Sequence, residues 1–506
     1  MGLILHSLPR YTGPYPVSTH DVELASSSPD SARFSHALLK STHQPALQLE
    51  TTLFTLFYPT NTDTPKSRSM PWLERPLSTT ARGYAKFLGK STLLVKAIVY
   101  LFGRSLYLAT QGIDQPLLLK RMKEKEEKAG EYEKFPVVVF SHGLSGNRTT
   151  YSQYCGELAS RGYVVVAVEH RDGSGPITVV KPADGDPRKE KVIDYIKEKD
   201  IYYENEKDQQ PFLKFRGDQL SLRQAEISEI LSTLARINRG ASTEELERSN
   251  RRAYAYGKNG APFRWEEWKG RLDLEENMTM AGHSFGGATT IQILRSNSKF
   301  GFKKGLALDP WADPIPPAVI ELETNSTPDF ASSSGTTLIS TPNEDEEPKS
   351  SPAPAPTSTD DTAESKGISV PFLVINSEAF TLWKPHFYLV RNIVNSIRNS
   401  QPSWFFTILG SVHISFSDLP LFLPSYLSPK SATTPALTSH SLIVETSLEF
   451  LRGEYEEGKY LGAEIREKGD EEYVNPSRGE GEKGPLKRED GEGFVRMHVK
   501  RNVAGS

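Results

Sequence analysis

The feature of this chain that most constrains its fold is an apolar run over 278–281 that breaks into G-H-S-F-G at 282–286 and continues into a helix-forming run over 288–294. A serine hydroxyl becomes reactive when a sharp strand-to-helix turn, with small residues two positions to either side, holds it clear of its neighbours. The following helix then points its first backbone amides at the oxygen on which negative charge develops. We therefore predict that Ser284 is a nucleophile on such a turn; the alternative is an ordinary tight turn.

Strand and helix patterns alternate on both sides of this turn. Within the helical pattern 219–238, apolar residues recur every three or four positions and form one face. Strand patterns cover 53–59, 136–140, 162–168, 305–308, 370–376 and 403–409. Strands that alternate with helices are typical of a mostly parallel sheet that is covered on both faces. We therefore predict an α/β fold, with a mostly parallel central sheet and helices on both faces, in a single domain over 1–455.

Two stretches have compositions that do not suit a folded core. Residues 321–366 are mostly Ser, Thr, Pro, Asp and Glu, and residues 456–506 are dominated by Gly, Glu, Lys and Arg. The mean hydropathy of the chain, -0.47, is low for a compact enzyme. Segments that bury too little apolar surface do not become ordered. We expect a disordered insertion at 321–366 and a charged, flexible tail at 456–506.

Charge and cysteine content restrict the partners and the compartment. Lys and Arg number 60, Asp and Glu number 64, and the net charge of -4 gives no general affinity for nucleic acid. The one cysteine, Cys155, excludes an intrachain disulfide, and the N-terminus lacks the basic start and long apolar stretch of a signal peptide. The sequence has no Cys/His cluster that would bind a metal. We expect a cytoplasmic protein that uses neither a metal nor an organic cofactor.

The most apolar stretch of the chain is 84–108. Lys86, Lys90, Lys96 and Arg104 interrupt it, so it makes a poor transmembrane span. Its mixture of leucines, aromatic residues and basic residues is typical of a helix that lies in a membrane interface. The alternative is that it packs on the sheet, and the sequence leaves both open.

A nucleophilic serine needs a base, and the base needs a carboxylate that fixes its tautomer. His413 is the best placed of the 11 histidines because it follows the strand pattern 403–409. Asp309 and Glu378 both follow strands between Ser284 and His413, so strand position leaves both open as the acid. Two weaker candidates lie farther from a strand end: Asp313 and Asp418.

The oxygen of a bound ester needs two backbone donors, one from the residue after the nucleophile and one from a loop after an early strand. The first donor would be Phe285. The loop S-H-G-L-S-G at 141–146 follows the strand pattern 136–140, and we expect Leu144 to be the second donor. We expect His142 and Gly143 of the same loop to line the substrate site.

Six motifs, in this order along the chain, resemble those of a known enzyme family. They are F-S-H-G-L-S-G-N-R-T-T-Y-S (140–152), V-E-H-R-D-G-S (168–174), G-H-S-F-G-G-A-T (282–289), L-D-P-W (308–311), I-N-S-E (375–378) and G-S-V-H-I-S-F-S-D (410–418). The family is that of the plasma and intracellular platelet-activating factor acetylhydrolases, α/β hydrolases that act as calcium-independent group VII phospholipases A2. The resemblance covers residues 10–320 and 368–455.

This resemblance implies site residues and an activity. It selects Asp309, in L-D-P-W, over Glu378 as the acid, assigns the oxyanion donors to Leu144 and Phe285, and makes Trp311 a site-lining aromatic residue. It implies hydrolysis of the short or oxidised sn-2 acyl ester of a phospholipid, with a phospholipid as the substrate partner. Two rivals stay open: a general carboxylesterase or lipase that acts on neutral esters, and an inactive hydrolase fold that binds lipid or protein.

Overall fold

A computed structural model of the chain describes residues 7–27, 34–61, 69–118, 134–183, 189–203, 211–252, 263–316, 367–397, 401–423, 431–463 and 495–501. Within these stretches the strands are β1 (Val17–Ala25), β2 (Ala37–Leu39), β3 (Thr51–Pro59), β4 (Gly112–Ile113), β5 (Phe135–Ser141), β6 (Val164–Glu169), β7 (Ile177–Val180), β8 (Lys191–Asp194), β9 (Ile201–Tyr203), β10 (Leu272–His283), β11 (Lys304–Leu308), β12 (Phe372–Ser377), β13 (Ser403–Ile408) and β14 (Val495–Arg501). The α-helices are α1 (Leu77–Leu88), α2 (Thr92–Phe102), α3 (Ser152–Ala159), α4 (Pro211–Arg239), α5 (Thr243–Ser249), α6 (Phe285–Arg295), α7 (Glu378–Thr381), α8 (Lys384–Asn395), α9 (Leu419–Phe422) and α10 (Ala436–Arg452).

Ten of these strands form one sheet in the order β14-β13-β12-β11-β10-β5-β6-β3-β1-β4. Every neighbouring pair from β13 to β6 is parallel. The β6–β3 and β3–β1 pairs are antiparallel, as is the β14–β13 pair at the other edge. The predicted mostly parallel central sheet is therefore confirmed. Because parallel strands share one direction, their carboxyl ends meet at the same edge of the sheet, where the loops that follow them lie close together.

Alternate side chains of the central strands point to opposite faces, and helices cover both. Val137 and Val139 of β5 pack in the cluster that contains the apolar face of α4, and Val138 and Phe140 pack in the cluster that contains α3 and α10. The apolar face predicted over 219–238 lies within α4 and is buried. Each fully buried Leu or Ile of this kind stabilises the fold by roughly 1.5–3 kcal/mol.

The segment 84–108 contains the end of one helix, α1, and the whole of a second, α2, rather than the single helix that its apolar composition suggests. Gly89 ends α1 in the left-handed conformation, at φ 62°, and Ser91 precedes the start of α2. Val95 is the one residue of α2 that is buried, whereas the side chains of Leu93 and Leu101 are 79% and 72% exposed. Most of α2 therefore does not pack on the sheet. None of the helices that the structure describes is long and apolar enough to cross a membrane.

The prediction of a flexible tail over 456–506 is wrong for its last described stretch. Val495–Arg501 forms β14, the strand that pairs with β13 at the edge of the sheet. Tyr460 and Leu461 are also buried. The apolar residues Val495, Met497 and Val499 alternate along β14, and this pattern outweighs the charged composition of the surrounding sequence. The insertion predicted at 321–366 lies outside the described residues.

Candidate active site

Ser284 lies on a sharp turn between β10 and α6, as the sequence predicts. Its backbone has φ 58° and ψ -118°, a conformation that a residue other than glycine adopts only under constraint. The two flanking glycines make the turn possible, because a Cβ on Gly282 would overlap the Gly286 carbonyl and a Cβ on Gly286 would overlap the Ser141 carbonyl. The turn sets Ser284 at the carboxyl end of β10, in the middle of the sheet.

The structure brings Ser284, His413 and Asp309 together. Nε2 of His413 lies 2.9 Å from Oγ of Ser284, and Nδ1 of His413 lies 2.7 Å from Oδ2 of Asp309. The side chain of Asp309 is fully buried, and that of His413 is 32% exposed. His413 can therefore accept the serine proton at one nitrogen while the buried carboxylate holds the proton on the other.

The carboxylate that lies beside His413 is Asp309 and not Glu378. Both residues follow neighbouring parallel strands, β11 and β12. The Glu378 side chain turns to the β13 side, where Oε2 accepts a hydrogen bond from the Gly410 amide at 2.6 Å. Asp418 is also buried, against the start of α3. The choice of Asp309 that the family resemblance implies agrees with this geometry.

Ser377, which the sequence analysis does not single out, holds Asp309. Its amide donates to Oδ1 of Asp309 at 2.6 Å, and its hydroxyl donates to Oδ2 at 2.7 Å. The two donors fix the position of the carboxylate beside His413. Phe380, also unpredicted, stacks flat on the His413 ring, with 4.2 Å between the centroids and 4° between the planes. The available sequence signal was their position at the carboxyl end of β12, where Ser377 is the last strand residue and Phe380 lies in the short helix that follows.

The two predicted oxyanion donors belong to two segments that adjoin Ser284. Phe285 is the first residue of α6, and Leu144 lies in the loop after β5. Among the residues that the structure describes, none accepts a hydrogen bond from the amide of Leu144 or of Phe285. A Cβ on Gly143 would come within 2.8 Å of the Ser284 Cβ, so the loop runs directly beside the nucleophile.

His142 is buried within this loop and makes hydrogen bonds at both ring nitrogens. It is 1% exposed; Nδ1 donates to the Gly143 carbonyl at 2.8 Å, and Nε2 accepts from the His170 amide at 3.1 Å. Burial and the nearby Arg223 guanidinium lower the pKa of His142 to about 4, so the ring is neutral at pH 7. Its burial does not favour the predicted role in lining the substrate site, which stays a prediction. The sequence gives the loop but not the direction of the ring.

Trp311 and His283 complete the surroundings of the turn. Trp311 is half-buried, its ring lies 5.9 Å from that of Phe285, and its amide donates to the Ser284 carbonyl at 2.9 Å. His283 is buried with Nδ1 2.8 Å from the Tyr151 hydroxyl, which also accepts from the Gly143 amide. Burial and the neighbouring His413 hold the pKa of His283 well below its usual value.

Three of these residues could also contribute metal ligands. Among the described residues, His283, Asp309 and His413 form a group whose ligand atoms all lie within 4.8 Å of one another. Asp309 and His413 are already joined by the 2.7 Å hydrogen bond, so an ion bound between them would have to break it. The predicted absence of a metal remains a prediction.

A serine on a strained strand-to-helix turn, a histidine after β13 and an aspartate after β11, all at one edge of a mostly parallel sheet, define the α/β-hydrolase class. The chain belongs to the family described as platelet-activating factor acetylhydrolase, isoform II, whose profile matches residues 5–331 and 357–472.

Curated relatives carry related names. A platelet-activating factor acetylhydrolase of Gallus gallus is 31% identical over 288 residues, which are 56% of this chain and 53% of that protein. A putative phospholipase A2 of Schizosaccharomyces pombe is 31% identical over 195 residues, 36% of this chain and 42% of that protein. The chain thus spans about half the length, or less, of these relatives. Among solved structures, a ferulic acid esterase from Streptomyces cinnamoneus is similar, with a TM-score of 0.47 and 15% identity over 88% of this chain and 92% of that one.

Proposed function

We propose that this chain is a serine hydrolase that cleaves the short or oxidised sn-2 acyl ester of phospholipids. The observation that carries the proposal is the hydrogen-bonded series from Ser284 through His413 to Asp309, at 2.9 and 2.7 Å. Its presence in a member of the platelet-activating factor acetylhydrolase family supports the choice of a phospholipid ester as substrate.

In the first half of the reaction, Nε2 of His413 accepts the proton of Ser284 as Oγ attacks the carbonyl carbon of the ester. The electron pair of the carbonyl moves to its oxygen, and the amides of Leu144 and Phe285 donate hydrogen bonds to this oxyanion. Asp309 stabilises the imidazolium that forms. When the carbonyl re-forms, the bond to the sn-2 oxygen breaks, and His413 donates its proton to the departing lysophospholipid.

In the second half, water replaces the lysophospholipid. His413 accepts a proton from the water as its oxygen attacks the acyl-serine, and the same two amides hold the second oxyanion. Collapse of this intermediate breaks the bond to Oγ of Ser284, and His413 returns the proton to the serine. The products are the lysophospholipid and a carboxylic acid, which loses its proton to water.

Hydrolysis of a substrate panel tests the proposal. Phospholipids with sn-2 acetyl, sn-2 oxidised and sn-2 long acyl chains would be compared with neutral esters, with a chelator present. We expect the acetyl and oxidised phospholipids to be cleaved most efficiently, and Ser284→Ala to abolish their cleavage. Preference for neutral esters would replace the proposal with the general esterase. Binding of phospholipid without hydrolysis would replace it with the inactive fold, and inhibition by the chelator would contradict the absence of a metal.

We also propose peripheral contact of the α1–α2 pair with membranes. Leu93, Leu94, Ile98 and Leu101 of α2 are half or more exposed and form an apolar surface. Lys86, Lys90 and Arg104 of the same segment are exposed. Each basic group near an anionic bilayer adds about 1 kcal/mol of attraction. The exposure of α2 supports the interfacial alternative over packing on the sheet.

Vesicle sedimentation tests this contact. Ser in place of Leu93, Leu94 and Leu101 should reduce binding to anionic vesicles and hydrolysis of vesicle substrates, but should leave hydrolysis of a water-soluble ester unchanged. Leu389→Ser, at an exposed position on α8, is the control. Unchanged vesicle binding in the folded triple variant would refute the contact.

A cytoplasmic location completes the proposal. It is supported by the single cysteine, Cys155, which is buried and free. Cell fractionation of the native protein tests this location. Recovery of the protein in an oxidising compartment would contradict it.

A further inference from the structure

The loop that carries His413 is held at both ends by buried carboxylates. It leaves β13 after Ile408, and Oε2 of Glu378 accepts the amide of Gly410 near its start. At its far end lies Asp418, which is 1% exposed. Both acids are candidates from the sequence for the partner of His413, and the structure gives that position to Asp309.

Asp418 fastens the far end of the loop to the start of α3. Oδ2 accepts the amide and the hydroxyl of Ser152 at 2.9 and 2.6 Å and the indole N–H of Trp72 at 2.9 Å, while Oδ1 accepts the amide of Gln153 at 3.0 Å. The amide of Asp418 in turn donates to the Thr150 carbonyl at 2.9 Å. The first amides of a helix have no partner within the helix, so a carboxylate at this point is favourable.

The hydrogen bonds around Asp418 suit a side chain with two acceptor oxygens. All four groups that hydrogen-bond to the Asp418 carboxyl are N–H or O–H donors. Burial raises the pKa of Asp418 to about 7, although the hydrogen bonds from Ser152, Gln153 and Trp72 act in the opposite direction. An amide of the same shape would turn its nitrogen toward a backbone N–H, because one oxygen cannot reach both sides.

We infer that Asp418 is a positioning residue for the reaction: by tying the His413 loop to α3, it holds the imidazole at the distance from Ser284 that proton transfer needs. The stretch 142–151, which contains the oxyanion loop, ends where α3 begins. The hydrogen bonds from Asp418 to α3 therefore also fix the position of His413 relative to the predicted oxyanion donors. This inference rests on the proposed function. It adds a residue that does not touch the substrate.

The test compares Asp418→Asn with a matched control, Glu449→Gln. Glu449 is another buried carboxylate that accepts two backbone amides, those of Tyr460 and Leu461, at 2.9 and 3.0 Å. Asp418→Asn should lower the melting temperature, whereas Glu449→Gln keeps one oxygen for both amides and should lower it less. Only Asp418→Asn should lower kcat, by roughly 10- to 100-fold with KM nearly unchanged, since small misplacement of a catalytic group costs rates of this size.

Two further readouts separate positioning from general stability. The rate constant for labelling of Ser284 by a small fluorophosphonate should fall in Asp418→Asn by the same factor as kcat. The low-field proton resonance of the His413–Asp309 hydrogen bond should broaden or shift in this variant but persist in Glu449→Gln. Equal kcat in the two variants, at a temperature where both are folded, would overturn the inference.

A milder variant covers the case in which Asp418→Asn does not fold. Ser152→Ala combined with Trp72→Phe removes two side-chain donors to Asp418 and leaves both helix amides. We expect kcat to fall several-fold, and an unchanged kcat would overturn the inference. Failure of the proposed function looks different, because the wild-type chain would then lack esterase activity that depends on Ser284 and His413.

Discussion

Replacing Asp309 by Asn should disable the base while leaving the fold in place. The amide of Ser377 cannot rotate, so it keeps the single oxygen of the new side chain on the Oδ1 side, where the present hydrogen bond is 2.6 Å. The new NH2 group then takes the position of Oδ2, which in the wild-type chain lies 2.7 Å from Nδ1 of His413. It donates to Nδ1, so the ring proton must move to Nε2.

The cost follows from this change of tautomer. Nε2 faces Oγ of Ser284 at 2.9 Å, and a protonated Nε2 cannot accept the serine proton. A wrong tautomer in such a triad lowers kcat by about 10⁴. At about 1.36 kcal/mol per tenfold, this is about 5.4 kcal/mol of transition-state stabilisation.

The assay is kcat and KM for a soluble sn-2 acetyl substrate, measured beside Glu378→Gln. The Gln side chain keeps an oxygen for the Gly410 amide, so we expect this control to retain most of its turnover. Thermal melting and circular dichroism would show that both variants fold. If Asp309→Asn keeps its rate within tenfold, or if Glu378→Gln is the slower of the two, Asp309 is not the acid.

Three other parts of the chain give measurable outcomes: the nucleophile and its base, a buried histidine and the predicted insertion. Ser284→Ala and His413→Ala should each lower kcat by several orders of magnitude, and the double variant should be hardly worse, because the residues act as a unit; fluorophosphonate labelling that persists in Ser284→Ala would contradict this. Burial disfavours the charged ring of His20, but the carboxylates of Asp114 and Glu247 outweigh it and raise the pKa to about 9. This contribution to stability is complete below pH 6.5 and is lost as the pH rises through about 9. The difference in melting temperature between the wild-type chain and His20→Gln should therefore shrink over that range. A difference that stays constant would refute the prediction. The composition of 325–364 predicts no folded structure there, so deleting it should leave melting temperature and activity nearly unchanged, because loop length has a small entropic effect; a large loss of either would contradict that prediction.

The sequence was sufficient for the parts of the site that follow from strand ends. Ser284 and Asp309 come directly after strands of a parallel sheet, and His413 lies in the loop that follows a third. Parallel strands end at one edge, so their proximity was predictable. The choice between Asp309 and Glu378 was not, since β11 and β12 are neighbours and both acids reach that edge. It depends on which way each side chain turns, and only the structure shows Glu378 bonded to Gly410.

Where composition and local sequence pattern disagree, the local pattern determines where helices and strands begin and end. The apolar composition of 84–108 suggests one helix, but Gly89 ends α1 and Ser91 precedes α2. The direction of the His142 ring had no signal in the sequence at all, because it follows from packing between β5 and the residues after β6.

The antiparallel pairing of β14 with β13 also has a consequence for handling the protein. β13 reads S-W-F-F-T-I and all of its residues are buried. Without β14, this strand would present a row of unpaired amides and carbonyls at the edge of the sheet, with bulky apolar side chains on both sides. Such an edge is a template for pairing with other chains. Truncation of the chain before Val495, although it removes a sequence rich in charge, should therefore produce a protein that aggregates.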